Sequence, residues 1–355
     1  MKFSSAFAAA VGILFASSTA VSAQSTCNEW SPCFREGYCD ADAMFCLWGL
    51  CDETKSFNST SCWKPEGCSS QTVVFDNSAD VVPIRSYGGN PNTNPFLSIF
   101  EPSHASVANG ALELQMTYDA AQKKGFGATV DAAHTIQYGK VTARVKTASV
   151  APGVVSSFII RNDVTGDEID FEWVGKAPRE VQTNFYFNDI LDYTQMVPYV
   201  LQSDTSADYH DYTIDWTAEA ITWLVDGVVI RTVKKAETFD AASNSYRFPT
   251  SEARVAFSIW DAGNSGAQGT QEWAGYPTPW NNGAASYKMF VDSVSVQCNG
   301  SATPSESSAT ATEPSATATE PSATDAVTPP VVTDQASYTQ SSVTDSTGKK
   351  CRPHY

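Results

Sequence analysis

The chain has 355 residues, a formal net charge of −17 and 42% hydrophobic residues. That acidity disfavours nucleic acid and anionic membrane surfaces as partners, whereas a neutral ligand would not be repelled. The length suits one large domain or two smaller ones.

Lys2 precedes an apolar run from Ala6 to Ala16 and then small residues ending Val21-Ser22-Ala23, the pattern of a secretory signal cleaved before Gln24. The run is too short for a bilayer span. Later apolar stretches are broken by polar residues, so an exported monomer with no membrane span is expected. Of nine cysteines, seven fall between Cys27 and Cys68, and the others are Cys298 and Cys351. In an exported chain they imply disulfides rather than metal or redox chemistry, and eight can close four bridges with Cys351 left over. Residues 24–70 are too few to bury a core of their own, so this segment is expected to be stapled. Asn58-Ser59-Thr60 and Asn299-Gly300-Ser301 are sequons that make Asn58 and Asn299 candidate N-glycosylation sites, consistent with export from a eukaryotic cell.

From Val73 to Cys298 short alternating runs are separated by Gly, Asn, Asp and Pro, which points to an antiparallel β-sandwich or barrel. Strands are predicted over Ala111–Thr117, Gly139–Thr147, Val154–Arg161, Val181–Phe187, Tyr209–Trp216, Arg254–Trp260 and Tyr287–Gln297. A hairpin is predicted over Ile221–Val225 and Val228–Val233, because Asp226-Gly227 supplies the positive φ angles of a two-residue turn.

The run Asp167-Glu168-Ile169-Asp170-Phe171-Glu172-Trp173 reads as a strand with unlike faces, since residues at i, i+2 and i+4 share a face. Glu168, Asp170 and Glu172 point one way; Ile169, Phe171 and Trp173 point the other. Like charges crowded together raise each other's pKa values, an arrangement that chains keep for sites. A solvated outer face would not be backed by Ile, Phe and Trp on a strand flanked by aromatic-rich strands, and the Asp-x-Asp-x-Asp-Gly pattern of a calcium loop is absent. No metal or other cofactor is expected. Retaining cleavage of a glycosidic bond needs two carboxyl groups in different protonation states, one nucleophile and one proton donor. Glu168 and Glu172 are the natural pair, with Asp170 between them placed to hydrogen-bond Glu168.

Sugar rings present apolar faces, so polysaccharide clefts combine aromatic platforms with amides. Gln182, Asn184 and Tyr186 share one face of their strand. Trp260 lies opposite the core set Val255, Phe257 and Ile259, Trp273 follows nearby, and Arg161 shares a face with Ser157 and Ile159. These six are the candidate substrate-binding residues. His210 is read as structural. Beyond Gly300 a repeated Ala-Thr-Ala-Thr-Glu-Pro-Ser unit cannot bury enough surface to fold and reads as a disordered, O-glycosylated stalk. The sequence ends Lys349-Lys350-Cys351-Arg352-Pro353-His354-Tyr355, without the hydrophobic tail that a glycolipid anchor replaces.

The Glu-x-Asp-x-Glu run resembles the signature of glycoside hydrolase family 16. In that family's order follow Tyr138-Gly139-Lys140-Val141, Val154 to Phe158, Val181 to Tyr186, Tyr209 to Trp216, Ile221 to Gly227 and Ser258-Ile259-Trp260. The resemblance covers about residues 73–297. It implies an all-β, jelly-roll (concanavalin A-like) antiparallel sandwich over 71–298, after a signal at 1–23 and a small disulfide-rich segment at 24–70, and before a tail at 299–355. Within the family, Val181-Gln182-Thr183-Asn184, Ile214 to Trp223, Glu272-Trp273-Ala274-Gly275 and the Ser/Thr stalk are similar to fungal Crh cell-wall transglycosylases. That similarity implies Glu168 as nucleophile, Glu172 as acid/base and Asp170 as modulator, with chitin and β-glucan of the cell wall as partners. The loop Tyr276–Trp280 that follows does not align with the pattern. Alternatives are a non-catalytic carbohydrate-binding wall protein and a plain β-glucan hydrolase. Gly37-Tyr38-Cys39 and the segment Cys46–Cys51 resemble hevein-type chitin-binding modules without their adjacent cysteine pair. The other reading is a stapled cap over the sandwich edge, which a bridge to Cys298 would favour.

Overall fold

The computed structural model describes residues 27–299 apart from 59, 64–66 and 281–285. The signal expected at 1–23, the stalk beyond Asn299 and Cys351 lie outside the described residues. Two large sheets face each other. The first has eight strands in the order Val197–Val200, Glu180–Tyr186, Glu168–Val174, Val154–Arg161, Ala253–Asp261, Ala128–Ile136, Phe96–Phe100, Val81–Pro83. The second has nine, led by Val228–Lys234, Ala220–Val225, His210–Trp216, Gly139–Lys146, Ser286–Cys298, Ala111–Asp119 and Ala105–Ala108.

Alternation explains both the elements and the core. In Glu168–Val174 the residues Ile169, Phe171 and Trp173 are fully buried between the sheets. Phe257, Phe158 and Phe171 stack in sequence at 5.2 and 6.0 Å, and Trp173 meets Tyr212 of the opposite sheet edge-on at 4.6 Å, so one aromatic column crosses the site strands and joins the sheets. Arg231 packs its guanidinium over Trp223 at 4.7 Å and donates to the carbonyls of Thr183 and Gln195, both at 2.7 Å. The predicted hairpin forms as read: Val225 pairs with Val228, and Asp226 and Gly227 take φ of 49° and 77°. His210 is structural, its ring held between Ser203 at 2.9 Å and Asp226 of that turn at 2.7 Å.

Several strands had no expectation in the sequence. Ala128–Ile136 is buried along its whole length, with Ala128, Val130, Ala132 and Ile136 on the core and Thr129, Asp131 and Thr135 on the other face, an alternation interrupted at Ala133-His134, where its register against Ala253–Asp261 shifts. Phe96–Phe100 carries a register shift, and Val197–Val200 is exposed throughout. The sandwich is also not wholly antiparallel: Val81–Pro83 runs parallel to Phe96–Phe100 at one edge. Pro83 and Pro198 occupy the two edge strands of the site sheet, where a missing N–H costs no ladder bond. A short helix, Gln268–Ala274, forms where only a Glu-Trp-Ala-Gly motif was recognised.

The cysteine-rich segment carries three internal disulfides, Cys27–Cys39, Cys33–Cys46 and Cys51–Cys62, and is tied to the end of the last strand by Cys68–Cys298. Ala43, Leu47 and Leu50 pack against Leu97 and Ala133 of the site sheet and against Ile84, just after its edge strand. A segment that turns these aliphatic residues to the sandwich and is bridged to Cys298 fits the cap reading, although its Trp30, Tyr38, Phe57 and Trp63 are exposed. Of the sequons, Asn58 is exposed and accepts from Thr60 Oγ1 at 2.8 Å, and Asn299 is exposed.

Candidate active site

Cross-strand register assembles the site in rows, because residues directly opposite on neighbouring strands share a face. One row reads Arg254, Arg161, Glu168, Tyr186; the next Asp131, Ala256, Ile159, Asp170, Asn184; the third Ser258, Ser157, Glu172, Gln182. Each of the amides and the tyrosine singled out in the sequence therefore lies opposite one carboxylate. Glu168 and Asp170 are 2% and 1% exposed, and Glu172 keeps partial access to solvent.

The three carboxyls have different surroundings. Arg161 pairs with Glu168 through Nη1, so the guanidinium offered by the sequence as a sugar ligand instead holds a carboxylate. Asp170 does not make the expected hydrogen bond to Glu168; both its oxygens are buried with no bond of normal geometry, as is Oδ1 of Asn184 opposite. Burial first, and then the negative charges of Glu172 and Glu168, push the Asp170 carboxyl well above the usual range, opposed in part by Arg231. Burial and the charge of Glu168 push Glu172 up to about 8. On one strand face, one carboxyl thus has a cation and another holds its proton at neutral pH, the division that acid–base work on a glycosidic bond requires.

At the Glu172 end, Trp260 and Trp273 stack with centroids 5.9 Å apart, and the Trp273 indole donates to Gln182 Oε1 at 2.7 Å. The helix Gln268–Ala274 thus places the Trp273 ring beside the amide row. At the other end Tyr186 meets Tyr193 edge-on at 6.2 Å. Tyr193, half exposed, was missed because it lies in a single 3-10 turn, Tyr193–Gln195, within a loop that has no strand alternation to assign its face; the charges of Glu168 and Glu172 reach it and add to burial in raising its phenol. The loop Tyr276–Trp280 is clamped by Asp261, which accepts from Thr278 Oγ1, from Trp280 Nε1 at 3.1 Å and from Gly125 N at 2.6 Å. Asp167, first residue of the signature run, is structural: its carboxylate takes the amides of Asn188, Thr250 and Ser251 at 2.8–3.0 Å. Among the described residues no group of His, Cys, Asp or Glu is arranged as a metal site.

A jelly-roll sandwich with a three-carboxylate strand between amides and aromatic platforms is the architecture of the β-sandwich glycoside hydrolases. The family model described as glycosyl hydrolases family 16 matches residues 92–276, just over half of the chain, and the chain belongs to that family. It is 38% identical over 258 residues to Crh-like protein 2 of Aspergillus fumigatus, covering 72% of this chain and 56% of that protein. It is 34% identical over 289 residues to Congo red hypersensitive protein 2 of Saccharomyces cerevisiae, covering 79% of this chain and 59% of that protein. The chain therefore spans less than two thirds of the length of these relatives. A solved structure described as Crh5 transglycosylase in complex with NAG aligns with a TM-score of 0.54 and 27% identity, covering 66% of this chain and 86% of its own. No helix among the described residues is long and apolar enough to cross a membrane.

Proposed function

We propose that the protein is a retaining glycosidase and transglycosylase of the fungal cell wall, exported to act on chitin and to transfer the cleaved chain to β-glucan. Glu168 attacks the anomeric carbon as the bond to the leaving oxygen breaks, and Glu172 gives its proton to that oxygen. An acceptor hydroxyl then attacks the same carbon, returns its proton to Glu172 and releases Glu168. Asp170, neutral in its buried position, spares the nucleophile a second adjacent charge. Gln182, Asn184, Tyr186, Trp260 and Trp273 hold the sugars.

The single observation that carries this reading is the asymmetry along one strand: Arg161 on Glu168, and a Glu172 carboxyl pushed up to about 8. The relative described as a transglycosylase in complex with NAG supports transfer from an amino-sugar polymer. Incubation with chitin oligomers and a fluorescent β-glucan oligosaccharide tests it, a labelled product of higher mass being expected. Tight oligomer binding with no labelled product would select a non-catalytic wall protein. Shortened glucan with no acceptor dependence would select a plain hydrolase.

A further inference from the structure

The hairpin that leads into the carboxylate strand is fixed from outside the sandwich. Asn162 organises its turn, accepting the amides of Val164 and Thr165 at 2.8 and 2.9 Å, and Gly166 is required there because at φ +73° an added Cβ would lie 2.4 Å from Asp189 Oδ1. The cysteine-rich cap then docks with two consecutive carbonyls, one on the neighbouring strand Ala253–Asp261 and one on this hairpin. That of Trp48 accepts from Arg254 Nε at 2.6 Å, and that of Gly49 accepts the amide of Asp163 at 3.1 Å. With its backbone so held, Asp163 Oδ1 accepts a hydrogen bond from Arg161 Nε at 2.7 Å, which leaves Nη1 for Glu168.

We infer that Asp163 is a positioning residue for the reaction: anchored by the cap, it orients the Arg161 guanidinium so that Nη1 meets the Glu168 carboxylate. The inference rests on the proposed role of Glu168 as nucleophile. A planar guanidinium fixed at one edge presents its other N–H groups in a set direction, which an unanchored side chain of this length does not. Glu168 needs that direction. It is 2% exposed and shares its strand face with Asp170 and Glu172. Tyr186 faces it from the neighbouring strand and Tyr193 from the loop beyond, and Arg254 stands next in its row behind Arg161, close to Asp131. Arg161 is the cation in contact with it among the described residues.

The test uses the full chain with chitin oligomers as donor and a fluorescent β-glucan oligosaccharide as acceptor, with Asp163→Ala, Asp163→Asn, Arg161→Lys and Glu168→Gln compared. Asp163 is 36% exposed, so its variants should melt close to the parent. Asp163→Ala should lower kcat roughly ten- to a hundredfold, the scale expected for a misplaced reacting group. Its donor KM should stay within about threefold. Asp163→Asn, which keeps an acceptor for Arg161 Nε, should recover most of the rate. Arg161→Lys, with no fork to reach both carboxylates, should behave as Asp163→Ala does and carries the test if that variant does not fold. An unchanged kcat in Asp163→Ala overturns the inference. So does a raised KM at constant kcat, which would return Arg161 to the sugar, or an Asn variant no better than Ala. Activity retained in Glu168→Gln would instead remove the nucleophile assignment itself, whereas an inactive Glu168→Gln beside inert Asp163 variants removes only the positioning role.

Discussion

Trp223, on the back sheet, donates its indole N–H to the main-chain carbonyl of Asp170 at 2.9 Å. The middle of the carboxylate strand is thereby pinned across the sandwich, on the side away from the substrate. With Arg231 stacked on the same indole and bonded to the carbonyl of Thr183, the back sheet holds the main chain of both strands that carry the site. Trp223→Phe removes the donor and leaves space where the larger ring was. A loss of about 1–3 kcal/mol is expected from the buried carbonyl alone. Urea unfolding would show it as a lower midpoint at an unchanged slope.

Glu168→Gln should abolish turnover and the covalent intermediate while the fold persists, because the isostere keeps the shape and removes the nucleophilic charge. Mass spectrometry after trapping with an activated fluorinated sugar checks this. An adduct on the variant, or turnover near the parent rate, would contradict the assignment.

Glu172 must be protonated to deliver its proton, and its carboxyl is pushed up to about 8. Activity should therefore persist through neutral pH and fall as pH rises past about 8, with the descending limb absent in a substrate whose leaving group needs no proton. A rate already falling near pH 5 would show that another group sets the limb.

The raised carboxyls also make a statement about stability. Asp170 and Glu172 have folded pKa values above their unfolded ones, so the stability they contribute is fully present below roughly pH 4 and is lost as pH rises through the folded values. Asp170→Asn, which mimics the protonated form, should match the parent melting temperature at acid pH and exceed it increasingly towards pH 9. Equal melting temperatures across that range would mean that Asp170 is not held neutral.

Trp273 stacks on Trp260 and bonds Gln182, so Trp273→Ala removes a platform and frees an amide. Aromatic stacking of about 0.5–1.5 kcal/mol corresponds to roughly a two- to thirteenfold rise in donor KM, with a smaller change in kcat.

Removing Cys68–Cys298, which closes a separation of 230 residues, should cost about 2–5 kcal/mol. It would free the cap end of the chain from the last strand. A double Cys→Ser variant at these positions should show this in its melting temperature before any change in donor preference.

Much of the site was legible because a strand is a local object. Alternation alone placed Glu168, Asp170 and Glu172 on one face, Gln182, Asn184 and Tyr186 on another, and Trp260 opposite its core partners, since each assignment needs only the pleat of one segment. The order of motifs along the chain supplied the family. What alternation could not supply was pairing. That Asp170 faces Asn184, that Asp163 reaches Arg161 with the cap behind it, and that Trp273 reaches across to Gln182 depend on register and loop paths set by the packing of the two sheets. Arg161 shows the difference most plainly. Its face was readable from its own strand, but its partner was not, because a guanidinium's role is fixed by whichever charge the fold brings to it. The sequence determined which residues could do chemistry; tertiary contact decided which carboxyl holds a cation and which keeps its proton, because desolvation and neighbouring charge, the causes of that division, exist only in the folded chain.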